Sequence, residues 1–281
     1  MQRRRQLTDR LFWAACGLAF LLIAAPAISV LVSVFHQALP ALGWQLFTHT
    51  THTNGLENAI LGTLLLLLGV LIVAGTVGVA AGIYLAEFAT GRTEKMLRFF
   101  SEVLAGMPSI VIGYIAYLTL VVQFRWHYSL LAAIIALSVL VIPYIVKTTE
   151  VSLRQVPTSL REGGAGLGMP RSSILGRILL PTALPGIASG LIVALAISTG
   201  ELAPLLFTAG SSDNLPTLQL FNHQVPYLTN VVYTDLALPG ARAHATSAAA
   251  GLFSLVILVL LIAAGRLVAR RARRNTARMS L

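Results

Sequence analysis

Glu201 is an acidic residue within an apolar run, 184–207, of the chain. An ionised carboxylate is costly inside a membrane, so by default it marks a functional site that has a partner. Ser198 and Thr199 precede it and could donate hydrogen bonds to an oxyanion that passes along the same helix. In membrane helices such hydroxyl groups more often bond the backbone or a neighbouring helix. We therefore predict a substrate pathway or gate at these three residues, with structural hydrogen bonding as the alternative.

A second candidate is the glycine-rich segment 162–168, EGGAGLG, which lies between two long apolar runs. Pro170 follows it at a place where one helix would stop and another begin. The pattern predicts a short helix, a glycine turn and a second short helix that ends at Pro181. Small side chains at 163–166 would let another protein surface approach closely, although an ordinary loop with flexible glycines would have the same composition.

Motifs for nucleotide and metal chemistry are missing from the sequence. Neither Lys95 nor Lys147 stands in a G-x-x-x-x-G-K-[ST] motif, so no loop that cradles phosphates is predicted, and any work with ATP must be done by another chain. His49 and His52 have only Glu57 as a nearby acid and no thiolate, so no metal site is predicted. No Ser/His/Asp arrangement can be inferred from the spacing.

The composition is that of a membrane protein. Of the 281 residues, 56% are hydrophobic and 11% are charged, whereas soluble domains carry about 25% charged residues. The net charge of +10 could suggest nucleic acid. However, the basic residues flank apolar runs and do not alternate with aromatic residues, which favours membrane orientation and excludes a nucleic-acid partner.

Six apolar runs are about long enough to cross a bilayer. They are 13–35, 59–85, 103–122, 129–146, 184–207 and 246–264. If the N-terminus is cytoplasmic, only Arg125 and Arg242 of the 20 Lys and Arg residues lie outside. This asymmetry predicts six spans with both termini in the cytoplasm. The first run is longer than the core of a secretion signal, so we expect it to be retained as a span.

The same pattern divides the chain into parts. We predict a basic cytoplasmic N-terminus (1–12), a first transmembrane helix (13–35), a core transmembrane domain (59–265) that contains a cytoplasmic loop (150–181), and a basic cytoplasmic tail (266–281).

The segment 162–168, followed by Leu179, Leu180 and Pro181, resembles the EAA loop of ABC importer permeases of the binding-protein-dependent type. In that family the loop forms a coupling helix that docks into a groove on the ATPase subunit. The resemblance therefore implies that contacts with the ATPase are made by Glu162, Gly163, Gly164, Ala165 and Gly168. Two of these are glycines, at 163 and 164, where the family usually has alanines.

Further motifs make the resemblance narrower. The segments 106–113 (GMPSIVIG), 200–209 (GELAPLLFTA) and 215–222 (LPTLQLFN) resemble elements of phosphate-specific permeases, most closely the A-type subunit, and the likeness covers about 57–265. These permeases usually carry an Arg four residues before the Glu of the G-E pair, but here that position is Ile197. The partner of Glu201 could come from a sister permease; alternatively Glu201 could be protonated or sit in water at a helix end.

The resemblance implies an all-α polytopic membrane protein with six transmembrane helices, in the type I ABC importer permease fold with a cytoplasmic coupling helix. It implies a subunit, not an enzyme, that moves phosphate into the cell by alternating access. The expected partners are a C-type sister permease, two ATPase subunits that bind ATP and Mg, an external phosphate-binding protein and the lipid bilayer of the cell membrane. No cofactor is expected on this chain. A permease for sulfate or molybdate and a self-contained channel or secondary transporter remain as alternatives.

Overall fold

The computed structural model describes the backbone of residues 2–278 and the side chains of residues 9–267. Over that range the regular structure is helical throughout, which confirms the predicted fold class. The α-helices are α1 (Gln2–Ala38), α2 (Gln45–Thr48), α3 (Glu57–Glu87), α4 (Gly91–Gly106), α5 (Ser109–Ala116), α6 (Leu130–Arg154), α7 (Thr158–Gly166), α8 (Arg171–Ile174), α9 (Leu180–Gly200), α10 (Ala203–Thr208), α11 (Leu228–Ala237) and α12 (Ala241–Arg278). Segments of π-helix at Tyr117–Gln123 and Leu175–Leu179 continue α5 and α8, and 3-10 turns lie at Leu39–Ala41 and Thr51–Thr53.

Five stretches in the described part of the chain are long and apolar enough to cross a membrane, and each overlaps a predicted span. They are Asp9–Ala41, Glu57–Glu87, Leu130–Arg154, Arg171–Gly200 and Ala241–Leu267. A sixth span exists if the bent pair Gly91–Gly106 and Ser109–Gln123 is counted as one crossing.

The predicted third span, 103–122, is wrong as a continuous helix, because the chain bends by 103° between α4 and α5. Met107 has an extended backbone at the bend, with φ −77° and ψ 134°. The ring of Pro108 disfavours a helical conformation of the residue before it, so α4 has to end there. The apolar residues from Ser109 to Gln123 form a separate helical segment after the bend.

The fifth span also differs from the predicted run 184–207. The stretch begins at Arg171 and α9 ends at Gly200, with Glu201 extended at φ −77° and ψ 130°. Pro204 lies in the first turn of α10, where its missing N–H costs no hydrogen bond. Pro181 likewise lies in the first turn of α9 and does not end the preceding helix, because a π-helical segment joins the two.

The core lies where α3, α6 and α9 pack together. Its buried side chains include Leu66, Val70, Leu137, Val141 and Leu195. Glycines on α3 allow α6 to approach closely: a Cβ atom at Gly78 would lie 2.8 Å from Cβ of Ile145, and one at Gly82 would lie 2.8 Å from the carbonyl oxygen of Val146. Small residues at a helix interface permit such backbone approach, which fixes α3 against α6.

The first helix presents apolar side chains on nearly all sides. Phe20 is 71% exposed and Ile23 is 76% exposed, and α1 packs mainly on α12. A helix that is apolar all round has to be covered by lipid or by another chain. Most of the basic segments predicted at 1–12 and 266–281 lies outside the residues whose side chains are described.

Candidate functional site

The segment 162–168 forms the predicted helix, glycine turn and second helix. Glu162 to Ala165 lie on α7, which starts after Pro157. Gly168 takes φ +74°, a left-handed conformation that a glycine adopts without strain. The next helix, α8, begins directly after Pro170. Glu162, Gly163 and Ala165 are exposed, so this edge of the protein is available to another chain.

One glycine of this segment faces inward. Gly164 is buried, and a Cβ atom there would lie 3.1 Å from Cγ1 of Ile174 and 3.1 Å from Cδ1 of Ile178. The missing side chain therefore lets α7 lie directly on α8 and on the π-helical segment that leads into α9.

Arg161 connects α7 to two spanning helices. Its Nη1 atom donates to Oε2 of Glu87 at 2.6 Å, and its Nη2 atom donates to the carbonyl oxygen of Leu153 at 3.0 Å. Glu87 is the last residue of α3, and Leu153 lies in the last turn of α6. A single guanidinium group thus holds the C-terminal ends of α3 and α6 against α7.

Glu201 lines an open cavity of about 610 Å³. The walls come from residues of α3, α4, α5 and α6 and from the end of α9. The charged side chains on the wall are Arg98, Glu102, Lys147, Glu150 and Glu201. Ile197 lies on the same wall and is 39% exposed. The cavity is large enough for a small hydrated anion and carries both signs of charge.

The charges of the cavity fall into a paired group and an unpaired group. Nη1 of Arg98 donates to Glu150 at 3.2 Å, and Nη2 of Arg98 bonds Glu94 at 3.0 Å. Nε of Arg154 donates to Glu150 at 2.8 Å. Among residues 9–267 no ion pair is formed by Glu102, Lys147 or Glu201. These three groups are the ones available to a ligand or to another chain.

The structure brings two of the sequence motifs together at this cavity. Gly113, in the segment 106–113, packs on α10: a Cβ atom there would lie 2.6 Å from Cα of Pro204. Ser109 and Ile112 of the first motif and Glu201 of the second line the same cavity. The two motifs thus form adjoining walls of one site.

The family of binding-protein-dependent transport system inner membrane components matches residues 78–274 of this chain. This is well over half of the sequence. The chain belongs to this family. It is accordingly a multi-pass membrane transport subunit and not an enzyme, and in such systems nucleotide is bound by a partner ATPase.

Two curated relatives of this permease match most of its length. The phosphate transport system permease protein PstA 2 of Mycobacterium bovis is 48% identical over 274 residues, which cover 97% of this chain and 91% of the relative. The phosphate transport system permease protein PstA 1 of Mycobacterium tuberculosis is 33% identical over 247 residues, 84% of this chain and 79% of the relative.

Solved structures share the permease fold. The MetNI methionine ABC transporter in an inward-facing conformation matches with a TM-score of 0.63 and 18% identity, over 77% of this chain and 95% of that chain. A bacterial alginate ABC transporter, in complex with an alginate pentasaccharide-bound periplasmic protein, matches with a TM-score of 0.66 and 17% identity, over 95% and 96%. At these identities the likeness concerns the fold alone.

The permease does not present all three predicted pathway residues to the cavity. Glu201 lines it, but Ser198 and Thr199 are 3% and 4% exposed and face the helix core. Their hydroxyl groups donate to the carbonyl oxygens of Ala194 at 3.0 Å and Leu195 at 2.9 Å. In this conformation both hydroxyl groups therefore satisfy the backbone of α9, and a direct contact of either with substrate stays a prediction.

Two features of the permease site were not found by sequence reasoning. Lys147 lies just beyond the predicted fourth span, 129–146, yet it belongs to α6 and lines the cavity of Glu201. Arg161 and Glu87 are 74 residues apart in the sequence. The only sequence signal for the position of Lys147 is that it lies close to the end of an apolar run. No local pattern indicates the pair of Arg161 and Glu87.

Proposed function

We propose that this chain is the A-type permease of an ATP-driven importer of inorganic phosphate. The observation that carries the proposal is the 48% identity, over 97% of the chain, to a protein named as a phosphate transport system permease. The three motifs that resemble phosphate-specific permeases support the same substrate, and two of them line one cavity.

The proposed assembly places both termini in the cytoplasm of the cell membrane. The core 59–265 pairs with a C-type sister permease, and 13–35 is its first transmembrane helix. Two ATPase subunits bind ATP and Mg at the cytoplasmic face, and a phosphate-binding protein docks outside. The basic segments 1–12 and 266–281 support this orientation, because positive charge is retained on the cytoplasmic side.

The ATPase contact is proposed at the exposed edge of α7, within the loop 150–181. Glu162, Gly163 and Ala165 are exposed there, Gly164 holds α7 on the following helix, and Gly168 makes the turn. A short helix that is small on its outer side and firmly packed on its inner side suits the transfer of a rigid-body displacement. The ATPase would move α7, and α7 would move the ends of the spans.

The cavity of Glu201 is proposed as the cytoplasmic part of the substrate path. Hydrogen phosphate still carries a proton at neutral pH, so it can donate a hydrogen bond to an ionised carboxylate, whereas sulfate cannot. Lys147 offers a positive charge on the same wall. The external binding protein supplies affinity, and it drives the cycle by binding one state of the permease more tightly than the other.

A second candidate is a permease for another oxyanion, such as sulfate or molybdate. It is favoured by Ile197, which leaves α9 without a cation one turn before Glu201. A self-contained channel is a weaker candidate, because it leaves the exposed α7 without a use.

The test is uptake of radiolabelled phosphate by proteoliposomes that contain this chain, its sister permease, the ATPase and the binding protein. We expect uptake to require ATP and to be lost in Glu162→Arg, which reverses the charge on the exposed edge of α7. The Glu162→Gln variant is the matched control, since it keeps the size of the side chain. Uptake without ATP would contradict an importer, and competition by sulfate with no movement of phosphate would contradict the substrate.

A further inference from the structure

The coupling helix α7 is attached to the rest of the molecule in three ways. The chain itself joins it to α6, and Gly164 packs it on the residues that lead into α9. The third attachment is polar. Among the described residues, Arg161 makes every side-chain hydrogen bond from α7 to a spanning helix, and its ion pair is the direct link to α3.

The position of Glu87 is unfavourable unless a cation is present. It is the last residue of α3, and the carboxyl end of a helix carries partial negative charge, which destabilises an anion there. Its side chain is only 14% exposed, so water screens it poorly. Oε1 of Glu87 has no hydrogen-bond partner among the described residues, which leaves the bond from Arg161 to Oε2 as its compensation.

Arg161 is suited to hold more than one group at once. Its planar guanidinium has donors fixed in a fork, so the bond to Glu87 and the bond to the carbonyl oxygen of Leu153 constrain each other. A lysine at this position could reach one of the two groups but could not fix both directions. The ends of α3 and α6 are therefore held at a set distance from α7.

The ion pair joins α7 to a helix that lines the proposed substrate cavity. Leu85 lies two residues before Glu87 on α3 and lines the cavity that contains Glu201. We propose that the ion pair between Arg161 and Glu87 transmits the displacement of α7 to α3, so that ATP hydrolysis moves the α3 wall of the cavity. Arg161 is then a positioning residue for transport. The proposal rests on the proposed function, since it assumes that α7 meets the ATPase.

The test is a charge-swap cycle in the reconstituted complex, with phosphate uptake and ATP hydrolysis measured in the same vesicles. Arg161→Glu and Glu87→Arg should each lower the phosphate moved per ATP hydrolysed at least tenfold, while the ATPase still co-purifies and hydrolyses ATP. The double variant should return to within about threefold of wild type. Such a coupling between two sites is the signature of a direct interaction.

Arg92→Glu is the matched control, because Arg92 is exposed on the same cytoplasmic side and forms no ion pair within residues 9–267. Its uptake per ATP should stay at the wild-type value. If the charge reversals prevent folding, Arg161→Lys and Glu87→Gln replace them. Both should lower the ratio, with the smaller fall for Arg161→Lys because it keeps the charge.

The outcomes separate this inference from the proposed function. A wild-type complex that moves no phosphate contradicts the proposed function. If the wild type moves phosphate and the single variants keep its ratio, or the double variant is no better than the poorer single variant, the ion pair is not the link. The ATPase could also fail to co-purify with Arg161→Glu and with the double variant. That result would mean that Arg161 binds the ATPase directly, and it would overturn the inference.

Discussion

Glu87 and Glu201 stand in similar places but in opposite electrostatic settings. Glu87 ends α3 and Glu201 caps the end of α9, each after a long apolar helix. Glu87 is paired with Arg161, whereas Glu201 lines an open cavity and pairs with no cation among residues 9–267. The first carboxylate is bound within the fold, and the second is left available.

This difference distinguishes residues that stabilise the fold from residues that are available to contact the substrate. A buried pair is costly to break, because the remaining partner is left without compensation. Such pairs suit contacts that must persist through a transport cycle. An unpaired carboxylate at the edge of a cavity has no such duty in the fold, so a change there should affect transport more than stability.

The largest effect on stability should come from the ion-paired group near the C-terminal end of α6. Glu150 is 3% exposed and accepts hydrogen bonds from Arg98 and Arg154. Glu150→Ala would remove one of the two carboxylates that Arg98 contacts and loosen α4 from α6. Loss of hydrogen bonds to a charged group predicts a cost of about 1.5–3 kcal/mol in unfolding free energy. Chemical unfolding in detergent measures this. Glu102→Ala, on the same cavity wall, should change stability by less than about 0.5 kcal/mol, and an equal loss would contradict the distinction.

A somewhat smaller effect is expected where the two motifs meet. Gly113→Ala would place a methyl group against the backbone of Pro204, and such overpacking costs about 1–3 kcal/mol. The same unfolding assay tests it. Gly106→Ala is the control, since a Cβ atom there has nothing within 4 Å. Equal stability of the two variants would mean that α10 can move away from α5 freely.

Glu201→Gln should affect phosphate transport more than stability. We expect the unfolding free energy to stay within about 0.5 kcal/mol of wild type, because no ion pair in the described region is lost. Phosphate uptake should fall about tenfold, which corresponds to about 1.4 kcal/mol in the activation barrier for transport. The preference for phosphate over sulfate should become smaller. Initial uptake rates with each anion as competitor measure both. Wild-type uptake and preference would remove Glu201 from the path.

The smallest effect is expected at Ser198. Its hydroxyl group bonds a carbonyl oxygen of its own helix, so Ser198→Ala should cost less than about 1 kcal/mol and leave uptake within about twofold of wild type. Uptake kinetics beside Glu201→Gln test this. A tenfold fall would instead support a contact between Ser198 and substrate in another state of the cycle.

The fold was largely predictable because a bilayer makes long apolar runs and basic flanks directly readable. The helix and turn around Gly168 were also predictable, since glycine and proline have local effects. The break at Glu201 was not predictable, because the apolar run continues past it. The nearest helix-breaking residue is Pro204, which starts the next helix and does not mark the end of α9.

The candidate site was harder to predict than the fold, because a side chain's direction depends on tertiary packing. Ser198 and Glu201 are three residues apart, yet one faces the core and the other the cavity, since α9 ends between them. The pair of Arg161 and Glu87 depends on where α7 returns to the membrane surface, which no local pattern encodes. The resemblance indicated the proposed coupling segment, but not the ion pair that joins it to α3.

The bend of 103° before Pro108 has an electrical consequence. The apolar segment that follows it, Ser109–Gln123, has 8 α-helical and 7 π-helical residues, which is at most about 22 Å at 1.5 Å per residue, against a hydrocarbon core of about 30 Å. Because this segment is shorter than the core, we expect water to enter the cavity of Glu201 and the membrane voltage to fall over a thinner layer beside it. Each negative charge moved inward against 100 mV costs about 2.3 kcal/mol, and across such a thin layer we expect most of this work to fall in one short step of the transport path.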